Sequence, residues 1–245
     1  LKTSRDKDVD GETYYHAGIS AWETGQTQKT INYLELARKN DFLNEKSRFI
    51  LSLAYKKIDN LSLEINYLES YAENHPDGDY IDIVKPRLFE TYIESNNFDE
   101  ALELWNEIEE IAEEDPDLLD SYFSLKKQLG HTDELEDIAK HLMEKDPDNK
   151  NALEYLGDLY FWKAENLYQR EMEAYEQNQT RRQYRLLLKA LDQVNEWFKI
   201  SRNYFERLYE IDPRPKYAEY LRNIYMRFGN DEKAGFYDKK AKEKE

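Results

Sequence analysis

The stretch from Asp146 to Tyr160, DPDNKNALEYLGDLY, decides the fold class. Leu153, Leu156 and Tyr160 are separated by steps of three and four residues, so they fall on one face of an α-helix. Gly157 has no side chain, which lets a neighbouring helix come close at that point. An Asp-Pro pair opens the stretch and suits a helix N-terminus, where the missing N–H of proline costs nothing. The stretch therefore predicts the first helix of a helix–turn–helix unit.

The same register recurs along the chain at intervals close to 34 residues. The positions that correspond to Tyr160 are Ala21, Tyr55, Tyr92, Leu129 and Tyr225. From Ala21 to Tyr55 is 34 residues, and the next three steps are 37, 37 and 31 residues. Self-similarity at such a period is typical of helical repeat arrays and disfavours an irregular helical bundle.

In spacing and residue types the chain resembles the tetratricopeptide repeat (TPR) family over nearly its whole length. The match is strongest at Leu153, Leu156-Gly157 and Tyr160. The resemblance implies an all-α fold, a right-handed α–α superhelix, in the form of a TPR-like solenoid of about six helix–turn–helix units. It also implies that residues 1–245 form a single domain of this kind.

Residues 150–212 depart from the period and predict an elongated helical hairpin. From Tyr160 to Tyr225 is 65 residues, and neither Gly nor Pro stands between Gly157 and Pro213. Two helices of about 26 residues each are therefore expected, standing out as an arm. The second helix has an apolar stripe with alternating steps of three and four, typical of packing on a partner helix. The stripe consists of Tyr184, Leu187, Leu191, Val194, Phe198, Ser201, Phe205 and Leu208.

The surface of this hairpin carries aromatic residues with two interpretations. They are Tyr168, Tyr175 and Trp197. In the first interpretation they pack within the hairpin. In the second they form a docking or self-association surface, because clusters of exposed aromatic side chains commonly mark interaction sites.

The chain is acidic, with 35 basic and 52 acidic residues and a net charge of −17. It has only 8 Gly and 6 Pro in 245 residues, too few for the many turns of a β-sandwich or barrel. The charge would repel nucleic acid and anionic membranes, so a neutral or basic protein or peptide is the expected partner. Solubility alone is the alternative explanation of the charge. No apolar stretch reaches the ~18 residues of a membrane helix, so no membrane insertion is expected.

Motifs for catalysis and for cofactor binding are missing from the sequence. The absence of Cys excludes disulfides, thiolate metal sites and cysteine nucleophiles. The sequence contains no glycine-rich phosphate loop and no nucleophile elbow. The four histidines are far apart and have no metal-binding spacing; they are His16, His75, His131 and His141. We therefore expect no enzymatic activity and no cofactor.

One metal-like pattern stands near the N-terminus. Asp6, Asp8, Asp10 and the following glycine match the first half of a calcium-binding loop. The bidentate glutamate of such a loop would fall where Ala17 stands. Calcium binding is therefore a weak hypothesis, and an acidic cap on the first helix is the preferred one.

The TPR resemblance also assigns a binding groove. In that family the first helix of each unit lines the concave side of the superhelix. The side chains placed there are Tyr15, Ile19, Trp22, Phe49, Leu53, Lys56, Phe123, Phe161 and Trp162. Such an aromatic groove suits an extended peptide or a partner helix, unless a terminal segment or an adjoining helix covers it. The family's groove for terminal carboxylates uses basic and Asn residues, and apolar or aromatic residues stand at those positions here, which argues against that role.

These observations predict a non-catalytic protein–protein interaction scaffold that binds a partner polypeptide in its groove. A structural, self-assembling subunit of an envelope complex, with a homodimer formed through the long hairpin, is one alternative. A glycan or small-molecule binding module is another. Bacterial cell-envelope TPR proteins include arrays with one long hairpin, so the resemblance implies a periplasmic location, with the cytoplasm as the alternative. The start at Leu1 fits a cleaved signal peptide and a trimmed chain equally well.

Overall fold

The fold consists of α-helices joined by short loops. The structure is a computed structural model that describes residues 9–242, which form twelve α-helices and no β-strand. The helices are α1 (Gly11–Glu23), α2 (Thr27–Lys39), α3 (Glu45–Lys56), α4 (Leu61–Asn74), α5 (Ile81–Glu94), α6 (Phe98–Ala112), α7 (Pro116–Gln128), α8 (Leu135–Lys145), α9 (Lys150–Gln177), α10 (Arg181–Ile211), α11 (Pro215–Arg227) and α12 (Asp231–Ala241). Consecutive helices form six helix–turn–helix pairs, so the predicted all-α repeat fold is confirmed.

The chain divides into two compact units, one up to Glu114 and one from Asp115 onward. The first unit contains α1 to α6, and its core includes Leu34 and Leu51, both fully buried. The second contains α7 to α12, and its core is built mainly from α9, α10 and α11. The expectation of a single domain over residues 1–245 stays a prediction.

Five of the six pairs turn between their helices in the same way. Just beyond the first helix, one residue adopts a positive φ of 55–74°, and the next N–H bonds back to a carbonyl five residues earlier. This is the Schellman motif, which satisfies carbonyls left unpaired at a helix end. The residues with positive φ are Gly25, Asp59, Asn96, Gly130 and Gly229. The accepting carbonyls belong to Ala21, Tyr55, Tyr92, Lys126 and Tyr225.

These turns correct the predicted register of the fourth pair. Leu129 was expected at the position that corresponds to Tyr92, whereas the turn places Lys126 there. The step from Tyr92 is therefore 34 residues, not 37. The prediction was wrong because Leu129 lies three residues from Lys126 on the same helix face, and apolar periodicity alone favours the leucine.

Tyrosines at this register position link neighbouring helix pairs inside each unit. Each hydroxyl donates a hydrogen bond to a glutamate on the second helix of the preceding pair. The bonds are Tyr55–Glu35 (2.9 Å), Tyr92–Glu69 (2.8 Å), Tyr160–Glu136 (2.7 Å) and Tyr225–Glu206. Burial and the acceptor carboxylate raise the pKa of all four hydroxyls, so they remain protonated donors at neutral pH. The repeated tyrosine therefore stabilises the stacking of the pairs.

The elongated pair consists of α9, with 28 residues, and α10, with 31 residues. The two helices come close at Gly157, whose carbonyl accepts a 2.8 Å hydrogen bond from the buried Ser201 hydroxyl. Six of the eight predicted stripe residues are buried, Leu191 is half-buried, and Tyr184 is 48% exposed. The stripe is thus packed along most of α10 and becomes exposed towards the tip of the hairpin.

Candidate functional site

In the first unit, the predicted groove residues of α1 are partly covered. Tyr15, Ile19 and Trp22 are half-buried because they pack against the core of that unit. The ammonium of Lys57 lies 4.2 Å from the centre of the Trp22 ring, a cation–π contact that occupies one face of the indole. Only part of each side chain on this face is therefore free for a partner.

The predicted groove residues of α3 differ in exposure. The Phe49 ring stacks on Tyr80 with a centroid distance of 4.4 Å, and Tyr80 is the residue just before α5. Leu53 is half-buried, and Lys56 is exposed. Tyr80 thus covers one face of the Phe49 ring, and Phe49 remains half-buried.

Two predicted groove residues of the second unit lie in its interior instead. Phe123 is fully buried, because the corrected register places it at the position of Gly157, which faces a neighbouring helix. Phe161 is 5% exposed, because its ring meets those of Phe198 and Tyr220 at centroid distances of 5.5 and 4.8 Å. Phe123 therefore offers no surface to a partner, and Phe161 offers only the small part of its ring that borders the cavity described next.

Trp162, in contrast, is 53% exposed and borders a cavity of about 460 Å³ in the second unit. The cavity lies between α9 and α11, the first helices of the fifth and sixth pairs. Asp158 and Asn223 occupy corresponding positions in it, each two residues before the repeat tyrosine of its helix. The lining residues are Glu154, Asp158, Phe161, Trp162, Lys216, Tyr217, Glu219, Tyr220 and Asn223. The cavity is thus formed by the helix face that the TPR resemblance assigns to partner binding.

The Glu154 carboxylate, which lines the cavity, is hydrogen-bonded by two side chains of α11. It accepts hydrogen bonds from the Lys216 ammonium at 2.7 Å and the Tyr217 hydroxyl at 2.8 Å. Burial raises the pKa of Glu154, but these two donors outweigh burial and lower it. Glu154 and Lys216 therefore neutralise each other at the wall of the cavity.

Asp158 is in a different state. Its Oδ1 atom is enclosed by protein and has no hydrogen-bond partner within residues 9–242. Burial raises the pKa of Asp158, and the Tyr220 hydroxyl and Lys216 oppose that shift without cancelling it. Burial, together with the contact with Asp158, raises the pKa of Tyr220 to about 12. The cavity therefore contains one carboxylate that is poorly solvated and incompletely bonded.

The sixth pair contributes residues that the sequence analysis did not single out. Asn223 and Met226 lie at the same offsets from Tyr225 as Asp158 and Phe161 do from Tyr160. Met226 is 61% exposed, and Asn223 is exposed at the cavity. Counting the groove positions of α11 from Tyr225, in the way that they are counted from the repeat position in the earlier pairs, would have identified both residues.

The predicted hairpin surface is mostly occupied within the second unit. Tyr168 and Trp197 pack against the core of that unit, and the Arg227 guanidinium lies 4.6 Å from the Tyr168 ring centre. The Tyr175 ring lies 5.7 Å from that of Tyr184 near the tip. The exposed apolar residues of the tip are others, namely Tyr184, Leu186 and Leu188, each 45–48% exposed.

The calcium hypothesis rests partly on residues outside the described range. Asp6 and Asp8 lie outside residues 9–242. Asp10 caps α1, since its carboxylate accepts a 2.7 Å hydrogen bond from the Thr13 N–H, and this bond lowers the pKa of Asp10. In the part of the chain that the structure describes, no three His, Asp or Glu side chains are arranged to hold a metal ion. No helix between residues 9 and 242 is both long and apolar enough to span a bilayer.

The six helix pairs of residues 9–242, the turn that five of them share and the tyrosine that recurs in four of them define a TPR-like helical repeat fold. A putative protein binding protein from Bacteroides ovatus resembles the chain with a TM-score of 0.58 and 17% identity, covering 89% of this chain and 97% of that one. MamA AMB-1 matches with a TM-score of 0.51 and 20% identity, covering 76% of this chain and 90% of that one. No protein-family model and no curated protein sequence matches the chain. At these identities the likeness shows the fold alone.

Proposed function

We propose that this chain is a non-catalytic interaction scaffold that binds a partner polypeptide along the first helices of its repeat pairs. The observation that carries the proposal is Trp162, a tryptophan that is 53% exposed beside a cavity of about 460 Å³. Large exposed aromatic side chains next to a concavity are the usual anchors of protein interfaces. The likeness to a putative protein binding protein supports the same class of function.

The net charge of −17 indicates the charge that the proposed partner should have. A neutral or basic polypeptide fits such a surface, whereas nucleic acid and anionic lipid would be repelled. The first-helix face of the first unit, with Trp22 and Phe49 half-buried, remains a second proposed contact. Because Trp162 is more exposed than either of these two side chains, we expect it to contribute more to affinity.

Capture from extract with matched variants tests the proposal. The purified chain is immobilised, envelope extract is passed over it, and the retained protein is identified and its Kd measured. Trp162→Ala should weaken the complex by about tenfold or more, as expected for an interface anchor. The control is Phe236→Ala, which removes a 51% exposed aromatic residue from α12, a second helix, and should leave the Kd unchanged.

The double variant Trp22→Ala/Phe49→Ala separates the two faces. A loss of binding in this variant but not in Trp162→Ala would move the site to the first unit. If both variants and the native chain held the same partner with one Kd, neither first-helix face would be the binding site.

A self-assembling subunit is the second candidate, and the tip of the long hairpin favours it. Tyr184, Leu186 and Leu188 expose apolar surface there, which is typical of association sites. This candidate predicts an oligomer whose mass does not depend on a partner. Light scattering of the purified chain and of Leu186→Lys/Leu188→Lys tests it: a monomer in both cases would remove it.

We also propose a periplasmic location, supported by the resemblance to cell-envelope TPR proteins with one long hairpin. The cytoplasm is the alternative. Fractionation of cells that express the natural gene, with immunodetection in the periplasmic and cytoplasmic fractions, decides between them.

A further inference from the structure

The cavity beside Trp162 contains a carboxylate that the protein leaves incompletely bonded. Asp158 Oδ1 is enclosed and without a hydrogen-bond partner in the described chain. An enclosed polar atom of this kind carries a desolvation cost, which is larger for a charged group. Oδ1 itself is closed to solvent, so a ligand in the cavity would meet the partly exposed remainder of the Asp158 side chain, which belongs to the lining.

The remaining walls restrict which donor fits. Trp162 and Tyr220 supply aromatic surface, and Glu219 adds a second carboxylate at an exposed position. The lining has three carboxylates against the single ammonium of Lys216, which Glu154 binds at 2.7 Å. The lining thus presents an excess of negative charge and aromatic rings to a ligand.

We propose that this cavity binds an arginine side chain of the partner polypeptide, with the guanidinium paired to Asp158 and stacked on Trp162 or Tyr220. A planar guanidinium donates to carboxylates and stacks on aromatic faces, which a lysine ammonium does less well. An acidic side chain would be repelled by Asp158 and Glu219, and an apolar one would leave the excess negative charge of the lining without a counter-charge. This inference rests on the proposed binding of a polypeptide and names the side chain that the site selects.

A matched pair of small probes tests the charge requirement. The full chain, labelled with ¹⁵N, is titrated with Nα-acetyl-arginine amide and with Nα-acetyl-citrulline amide, which has nearly the same shape and no charge. The indole N–H signal of Trp162, assigned with Trp162→Phe, reports binding at the cavity. We expect the arginine probe to bind about tenfold more tightly than the citrulline probe. Equal binding of the two probes would overturn the proposal.

Two further variants test the role of the carboxylate. Asp158→Asn keeps the shape of the side chain. It should lower the affinity for the arginine probe by about tenfold, towards the affinity for the citrulline probe. Asp192→Asn removes the same charge from an exposed position of α10 away from the cavity and should leave the affinity unchanged. A similar loss in both variants would mean that overall charge, not the cavity, attracts the probe, which also overturns the proposal. Thermal unfolding of each variant confirms that it is folded.

The same variants distinguish this inference from the proposed function. If a captured partner is lost with Trp162→Ala but binds Asp158→Asn with the native Kd, the scaffold function stands and the arginine pocket is wrong. If the arginine probe binds as expected but the native chain retains no partner, the pocket stands and the scaffold function fails.

Discussion

Replacing Gly157 by alanine tests the closest contact between the two long helices. A Cβ atom at this position would lie 3.0–3.1 Å from three ring atoms of Phe205. The Phe205 ring is fully buried and has little free space to move into. Overpacking of this kind costs about 1–3 kcal/mol. Alanine also gains about 1 kcal/mol over glycine inside a helix, so the clash must be measured against a reference.

Gly235 provides that reference within the same unit. It lies inside α12, and a Cβ there would meet no atom within 4 Å. Gly235→Ala therefore gains the helix propensity of alanine without a steric clash. The difference in the free energy of unfolding between the two alanine variants is then the cost of the clash with Phe205. We expect Gly157→Ala to be less stable than Gly235→Ala by about 1–3 kcal/mol in urea unfolding followed by circular dichroism. The free energy of unfolding of Gly157→Leu should be lower than that of the native protein by a similar amount. Equal free energies of unfolding for the two alanine variants would refute the close crossing at Gly157.

Three further predictions concern charges and hydroxyls inside the units. Arg87→Met should destabilise the protein by about 3 kcal/mol or more in urea unfolding, because it leaves Glu64, 1% exposed and 2.7 Å from the guanidinium, without a counter-charge. Adding Glu64→Gln should recover part of that loss, and no recovery would contradict the pairing. Tyr92→Phe should cost about 1 kcal/mol in the same assay, since it removes the hydroxyl that bonds Glu69, and an unchanged midpoint would count against a stabilising role of the junction tyrosines. Burial raises the pKa of Glu136, but two lysines and a tyrosine outweigh it and lower the pKa to about 2, so its contribution is present above about pH 5 and is lost as the pH falls towards 2. The melting temperature of Glu136→Gln should therefore lie below that of the native protein at pH 7 and approach it at pH 3; a constant difference would contradict this.

The number and pairing of the helices followed from the sequence because each pair repeats a pattern at helical period. Leu153, Leu156 and Tyr160 have the spacing that buries one helix face, and the structure buries the leucines. The register of the fourth pair did not follow in the same way. Lys126 stands where the other pairs have an apolar or aromatic residue, and the backbone turn at Gly130 identifies the position.

The candidate site was predictable in its location on the first helices but not in the exposure of its side chains. Phe161 and Trp162 are adjacent in the sequence, yet Phe161 is covered by α10 and α11 while Trp162 is exposed. The two side chains point about 100° apart around α9, and α10 and α11 pack against the face that carries Phe161. Exposure is set by the packing of helices that are distant in sequence, which a repeat pattern does not encode.

The acidic composition could not locate a binding site, because many of the carboxylates serve the fold. Glu35, Glu69, Glu136 and Glu206 each accept a bond from a junction tyrosine. Those oxygens already accept bonds that hold neighbouring helix pairs together, so a partner would compete with these contacts. Asp158 differs, since its Oδ1 is enclosed without a partner in the described chain. The binding of a basic partner should therefore depend on Asp158 far more than its share of the total charge suggests.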